Sequence, residues 1–169
     1  GKNFYSNGIL GSTVAIATGL AMSLKLKKEK KCVVCFLGDG ALCEGIVYES
    51  INMAALWSLP ILYVVEYNHI AQTAAAEEIL AGSLQKRFEA FGIACQTIAS
   101  TDVFEISDCS KGIIEEVKLK AKPQALIIEA DRLCAHSKGD DTRPKAIISK
   151  IAKNDPLLSL EKSIKGYKA

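Results

Sequence analysis

Four short apolar runs punctuate the chain: Cys32 to Leu37, Pro60 to Val65, Ile93 to Ile98 and Ala125 to Glu129. They are rich in β-branched residues and lack the polar alternation of a half-exposed strand, so they predict buried strands. Helical stretches lie between them, over Gly11 to Lys27, Gly45 to Trp57, Ser83 to Phe91 and Val103 to Lys122. Strands alternating with helices predict an α/β fold, a mostly parallel sheet covered by helices on both faces. A chain of 169 residues buries one ordinary core. From Ala135 the pattern changes: His136 to Pro144 is polar and turn-rich, as a loop is. Pro144 suits the first turn of a helix over Lys145 to Lys153, and Asn154-Asp155-Pro156 breaks the chain before a last short helix. The expected division is a core over 1–134, with 135–169 adding a loop and C-terminal helices to the same domain.

Composition narrows the function classes. Hydrophobic residues make up 49% of the chain, within the globular range. A net charge of +2, thinly spread, is too weak for a nucleic-acid or membrane-surface footprint. The cluster Lys25, Lys27, Lys28, Lys30 and Lys31 is expected to be a solvated helix end. Gly1-Lys2-Asn3-Phe4 leads into no leucine-rich run, so no signal peptide is expected. The longest uncharged stretches are broken by Gly, Asn or Pro60 and are expected to be core, not membrane spans. Six cysteines are scattered without a framework. Cys32 and Cys35 form a C-x-x-C inside a strand, where the two thiols point to opposite faces, unlike a redox pair at a helix start. Reduced thiols and a cytoplasmic location are the expectation.

The sharpest chemical signal is Leu37-Gly38-Asp39-Gly40-Ala41, at the carboxyl end of the first strong strand and ahead of a helix. Open α/β sheets bind ligands at such ends. Glycines flanking an aspartate free backbone N–H groups to approach an anion while the carboxylate faces outward. A carboxylate beside a phosphate needs a cation between them, magnesium by default. The next strand ends in Glu66-Tyr67-Asn68-His69-Ile70, with Asn68 twenty-nine positions after Asp39. Neighbouring parallel strands would set Asp39 and Asn68 side by side as oxygen ligands. Gly-Asp-Gly alone also suits an ordinary turn; the matched strand end tips the balance.

Gly-Asp-Gly followed about thirty residues later by Asn resembles the motif of thiamine-diphosphate-dependent enzymes. The surroundings resemble the alpha subunits of pyruvate, branched-chain 2-oxo-acid and acetoin dehydrogenases. The likeness extends over Asn3 to Gly11, Tyr48 to Trp57, Leu59-Pro60 and the loop Arg132 to Arg143, nearly the whole chain. It implies the thiamine-diphosphate-binding fold and an oxidoreductase component that decarboxylates a small 2-oxo acid. Carried over by residue, it implies that Asp39, the Asn68 side chain and the Ile70 carbonyl bind Mg2+. Gly40 and Ala41 would offer N–H groups to the diphosphate. Gly8 and Leu10 would meet the aminopyrimidine through their backbones, with the Leu10 side chain holding the cofactor bent. His136 would face the reacting carbon of the substrate, and Ser137 lies where some members are phosphorylated.

Plainer roles stand beside these. Leu10 and Ile70 also suit core packing, and His136 an exposed loop. His69 is expected to point away from the ligand row, and Glu44 and Glu49 to be solvated or interface charges. The family's usual Asn-Asn is Tyr67-Asn68 here, and Ala135 replaces the Gly before His-Ser. Family members also carry a segment ahead of the stretch matching Asn3, with an arginine and a tyrosine that grip the diphosphate. The sequence from Gly1 is therefore expected to be a fragment or a shortened subunit.

The glutamate that activates the aminopyrimidine belongs in this family to a beta subunit, so the chain is expected to need that partner, in an alpha-two-beta-two heterotetramer. A lipoyl-bearing acyltransferase is the expected acceptor. The competing expectations are a transketolase-like enzyme using the same cofactor and a non-catalytic pairing subunit. A generic nucleotide-binding module lacks its G-x-G-x-x-G or P-loop motif.

Overall fold

The computed structural model describes residues 4–164. Asn3, which opens the lead-in motif, and residues 165–169 of the C-terminal segment lie outside the described residues. The chain opens with helix α1 (Ser12–Leu26) and strand β1 (Val33–Gly38). A 3-10 turn over Asp39–Cys43 then leads into α2 (Gly45–Leu56) and β2 (Ile61–Tyr67). A small hairpin follows, β3 (Ile70–Ala71) and β4 (Ala74–Ala75), then α3 (Ala76–Ile79) and α4 (Leu84–Glu89). The sheet is completed through β5 (Ala94–Ile98), α5 (Val103–Lys120) and β6 (Gln124–Glu129). Beyond the polar loop come α6 (Lys145–Ile151), a 3-10 turn over Ala152–Asn154, and α7 (Pro156–Ser163).

The main sheet has the order β1-β2-β6-β5, and every pairing is parallel. All four predicted strands and the six predicted helices are present with boundaries shifted by a few residues. The hairpin β3–β4, the short α3 and the 3-10 turn after β1 were not predicted. Helix starts have local causes. The Asp102 carboxylate accepts from the N–H groups of Phe104 at 2.8 Å and Glu105 at 3.3 Å. Asp155 caps α7 through Leu157 N–H at 2.9 Å, with Pro156 in the first turn.

Helices cover the two faces unequally. On one face α1, α2 and α4 bury Val14, Val47, Ile51 and Phe88 against Cys35, Leu37, Tyr63, Val65 and Ile127. On the other, α5 brings Ile113 and Val117 onto Leu62, Val64, Ile98 and Leu126. Central β2 is buried over five consecutive residues from Ile61 to Val65. Edge strand β1 departs from the expectation of burial on both faces. Its Cys35 and Leu37 are buried, but Phe36 is 61% exposed, because α5 lies over β2, β6 and β5 and does not reach across the edge.

Cys35 belongs to the first core and Cys32 packs on the second, so the pair does face opposite sides. All six cysteines are free. Burial pushes the Cys35 thiol up to about 11, which makes it inert as a nucleophile. Among the described residues, no helix is long and apolar enough to cross a membrane.

The unequal cover has a measurable consequence. Phe88 is fully buried, with its ring centroid 5.9 Å from that of Tyr63. Phe88→Ala should lower the unfolding free energy by about 3–5 kcal/mol in a urea titration. Phe36→Thr, on the bare side of β1, should stay within about 1 kcal/mol of the parent.

Candidate functional site

The parallel pairing of β1 with β2 sets Gly38 opposite Glu66. Asp39 is therefore level with Tyr67, one residue short of Asn68, and both strand ends open on the same carboxyl edge. Asp39 begins the 3-10 turn and is only 2% exposed. Its Oδ1 accepts from Gly40 N–H at 2.8 Å. Its Oδ2 is buried and has no hydrogen-bond partner among the described residues. A buried, unpartnered carboxylate oxygen is costly, and a hard divalent cation is a group that would satisfy it.

The turn is pressed against the hairpin. A Cβ built on Gly40 would lie 2.9 Å from the Ala71 Cβ, so only glycine fits between them. Asn68 turns its Oδ1 back to the N–H of Ile70 at 3.2 Å, an Asx-type turn that leads into β3. His69 has a left-handed backbone, with φ at 63°. Its ring lies 4.0 Å from the Tyr67 ring, and its Nδ1 is 4.0 Å from Glu77. Those contacts with Tyr67 and Glu77 are structural. The Ile70 carbonyl accepts from Arg132 Nη1 at 3.4 Å.

Burial pushes the Tyr67 phenol upward, and the carboxylates of Glu77, Asp39 and Glu129 push it further. Three carboxylates thus lie around Tyr67 at the carboxyl edge, with the Arg132 guanidinium at the Ile70 carbonyl. Of the expected diphosphate donors, Gly40 gives its N–H to Asp39, while Ala41 is buried in the turn.

The lead-in to α1 reaches the same end of the sheet. Asn7 Oδ1 accepts from Ile9 N–H at 2.8 Å and Ser12 Oγ at 3.0 Å, which shapes the turn. Gly11 has φ at 75°, and a Cβ there would meet Glu44 Cβ at 2.9 Å, just ahead of α2. Gly8 is exposed, and Leu10 is 58% exposed. Leu10 is thus not packed in the core of the described residues. Glu49 is exposed, as expected of a solvated charge.

His136 lies exposed in the loop after β6. Its Nδ1 lies 3.1 Å from Ser137 Oγ and 3.9 Å from Asp140 Oδ2. Asp140 Oδ1 accepts from Ser137 N–H at 2.8 Å, which closes the turn around the histidine. Three residues with structural roles here, Arg132, Asp140 and Arg143, were not singled out from the sequence. Their only signal is that two arginines bracket a polar loop. The Arg143 guanidinium grips Asp141 through Nε at 2.8 Å and Nη2 at 2.7 Å, and this pairing holds the Asp141 carboxyl at about 2.

Two measurements test this geometry. Asp39→Asn should raise the unfolding free energy of the metal-free protein by about 1–2 kcal/mol, because it removes a buried carboxylate charge with one oxygen unpartnered. A carboxyl whose folded pKa is depressed contributes fully above its unfolded value and loses that contribution as pH falls. The Arg143 Nε–H signal in 1H–15N spectra should therefore hold from neutrality down to roughly pH 4, and move only as pH falls towards about 2.

Comparison with known proteins supplies the context of this edge. The family described as dehydrogenase E1 component matches residues 1–167. The chain is 35% identical over 166 residues to the pyruvate dehydrogenase E1 component subunit alpha of Rickettsia felis, covering 96% of this chain and 51% of that one. It is 32% identical to the protein of the same name from Zymomonas mobilis, covering 96% and 47%. It is also 32% identical to the alpha subunit of acetoin:2,6-dichlorophenolindophenol oxidoreductase from Cupriavidus necator, covering 80% and 41%. The chain thus spans about half the length of the curated relatives it matches. Among solved structures, transketolase from Campylobacter jejuni superposes with a TM-score of 0.65 at 29% identity, over 72% of this chain and 20% of that one.

Proposed function

The chain belongs to the dehydrogenase E1 component family, as an alpha-type member, and from that premise we propose that it holds thiamine diphosphate and Mg2+ for the decarboxylation of a small 2-oxo acid. The observation that carries the reading is the buried, unpartnered Oδ2 of Asp39 at the carboxyl edge of a parallel sheet. Asp39, the Asn68 side chain and the Ile70 carbonyl would hold the metal. Gly40, where a Cβ would collide with Ala71, and Ala41 would face the diphosphate. Gly8 and Leu10 would meet the aminopyrimidine, and the exposure of Leu10 leaves its side chain available for that contact.

Thiamine diphosphate, when bound, supplies the electron sink that lets a 2-oxo acid lose carbon dioxide. The chain's own residues bind, orient and shield. Asp39 would offset the metal's charge in a water-poor setting, where its own charge counts for more than at the surface. His136 engages Ser137 through Nδ1, so Nε2 is the atom left to face a substrate and hold or pass a proton. A second subunit would complete the site. Phe4, Tyr5, Ile9 and Leu10 are exposed, and Ile16, Leu20, Ile46 and Met53 on α1 and α2 are each at least a third exposed. Apolar exposure of this kind suits a subunit interface. The partner proposed is a beta subunit in an alpha-two-beta-two heterotetramer that passes its product to a lipoyl-bearing acyltransferase, within the cytoplasm.

The test is calorimetric titration of thiamine diphosphate, with and without magnesium, into the subunit co-expressed with its beta partner. Magnesium-dependent binding is expected, weakened about 100-fold, or about 2.8 kcal/mol, by Asp39→Ala or Asn68→Ala. An intact complex that binds no cofactor would mean a pairing subunit and end the enzymatic reading. Binding without 2-oxo-acid turnover, but with ketol transfer, would favour the transketolase-like alternative that the structural likeness raises.

A further inference from the structure

The turn that carries Asp39 is short, so its shape depends on what is fastened to it. Its start is pressed on the hairpin through Gly40 and Ala71. Its far end is held from α2, where the Tyr48 hydroxyl reaches back and donates to the Leu42 carbonyl. That hydroxyl is met in turn by Nη1 of Arg87 on α4, whose Nη2 donates to the Ala81 carbonyl just ahead of that helix. Phe88, fully buried beside Arg87 in the chain, anchors α4 to the core. The guanidinium carbon lies 5.8 Å from the centre of the Tyr48 ring. Arg87 Nε is buried with no partner among the described residues, so the side chain is committed through its two terminal nitrogens. A further contact comes from Cys43, whose Sγ lies 3.5 Å from the Ile79 carbonyl.

The donors fix the direction of this chain of bonds. A guanidinium only donates, and a phenol has a single proton. Arg87 therefore donates to the Tyr48 oxygen, and the Tyr48 proton goes to Leu42. A cationic donor on the phenol oxygen polarises the O–H and strengthens the bond it makes. Leu42 is fully buried and Asp39 and Ala41 nearly so. A shift of the Leu42 carbonyl is thus passed along a tightly packed turn to both. We propose that Tyr48, polarised by Arg87, is a positioning residue that sets where the Asp39 carboxylate and the Ala41 N–H stand. The task of that turn rests on the function proposed above; the brace itself rests on the hydrogen bonds. A phenylalanine would fill the same space on α2 and leave the carbonyl without this donor.

The test uses the full subunit with its beta partner. Gly40-Ala41 is the one Gly-Ala step in the sequence, so 13C-carbonyl glycine with 15N-alanine singles out the Ala41 amide signal. Without cofactor, Tyr48→Phe should shift that signal and speed its hydrogen exchange about tenfold. The thermal midpoint should stay within about 4 °C of the parent. Magnesium-dependent affinity for thiamine diphosphate should fall about tenfold in the same variant. Arg87→Gln should act in the same direction, and Arg87→Lys, which keeps the charge, should recover part of the effect. Added to Tyr48→Phe, Arg87→Gln should change the Ala41 exchange little further, because its action passes through the hydroxyl. An Ala41 signal unmoved by Tyr48→Phe would overturn the proposal, and so would parent-like cofactor affinity in that variant. Full additivity would overturn the part given to Arg87. Failure of the parent itself to bind cofactor, with the Ala41 effects present, would end the enzymatic reading and leave Tyr48 as the residue that shapes the turn.

Discussion

The parallel pairing of β1 with β2 is the constraint from which the candidate site follows. Ile61, Tyr63 and Val65 point into the core beneath α1, α2 and α4, while Leu62 and Val64 meet α5. Burial of such side chains is worth about 1.5–3 kcal/mol each, so the register of β2 is set by packing rather than by the polar residues at its end. A slip of one residue would send Tyr63 to the α5 face and carry Asn68 away from Asp39. The positions of the proposed ligands are therefore a by-product of hydrophobic order several residues upstream.

At the strand ends the balance of forces changes. The 3-10 turn buries Asp39, yet one carboxylate oxygen has no protein partner. Close approach of Gly40 to Ala71 keeps the turn tight against the hairpin, and the hairpin in turn aims the Ile70 carbonyl. A sequence selected only for stability would not leave a buried carboxylate oxygen unpartnered there. Local destabilisation on a rigid scaffold is what the proposed binding role would account for.

The histidine loop obeys different rules. It lies beyond the core, with no apolar face to fix it, so its shape depends on a few directional bonds from Arg132, Arg143 and Asp140. Such bonds are each worth about 1 kcal/mol, far less than the packing beneath the sheet. The scaffold holds the proposed cofactor residues firmly, whereas the His136 loop depends on a few exposed polar contacts.

Much of this was legible in the chain. Apolar runs separated by amphipathic stretches determined the alternation of strands and helices, because period and length are local properties. Gly38-Asp39-Gly40 and Asn68 stood out because close approach and cation binding demand those residue types. The sequence did not reveal the hairpin after Asn68, whose two-residue strands are too short to leave a periodic trace. Nor did it show that α5 stops short of β1 and leaves Phe36 bare, since coverage depends on where a helix crosses the sheet. Arg132 and Arg143 stood in the sequence only as the bounds of a loop resembling the family's. Their targets are backbone carbonyls, which every residue possesses and no sequence marks; for Arg132 those carbonyls lie some sixty positions away. Local chemistry thus determined the elements and the ligand types, while only tertiary packing decided which faces were covered, which carboxylate was left unpaired, and what holds His136 in place.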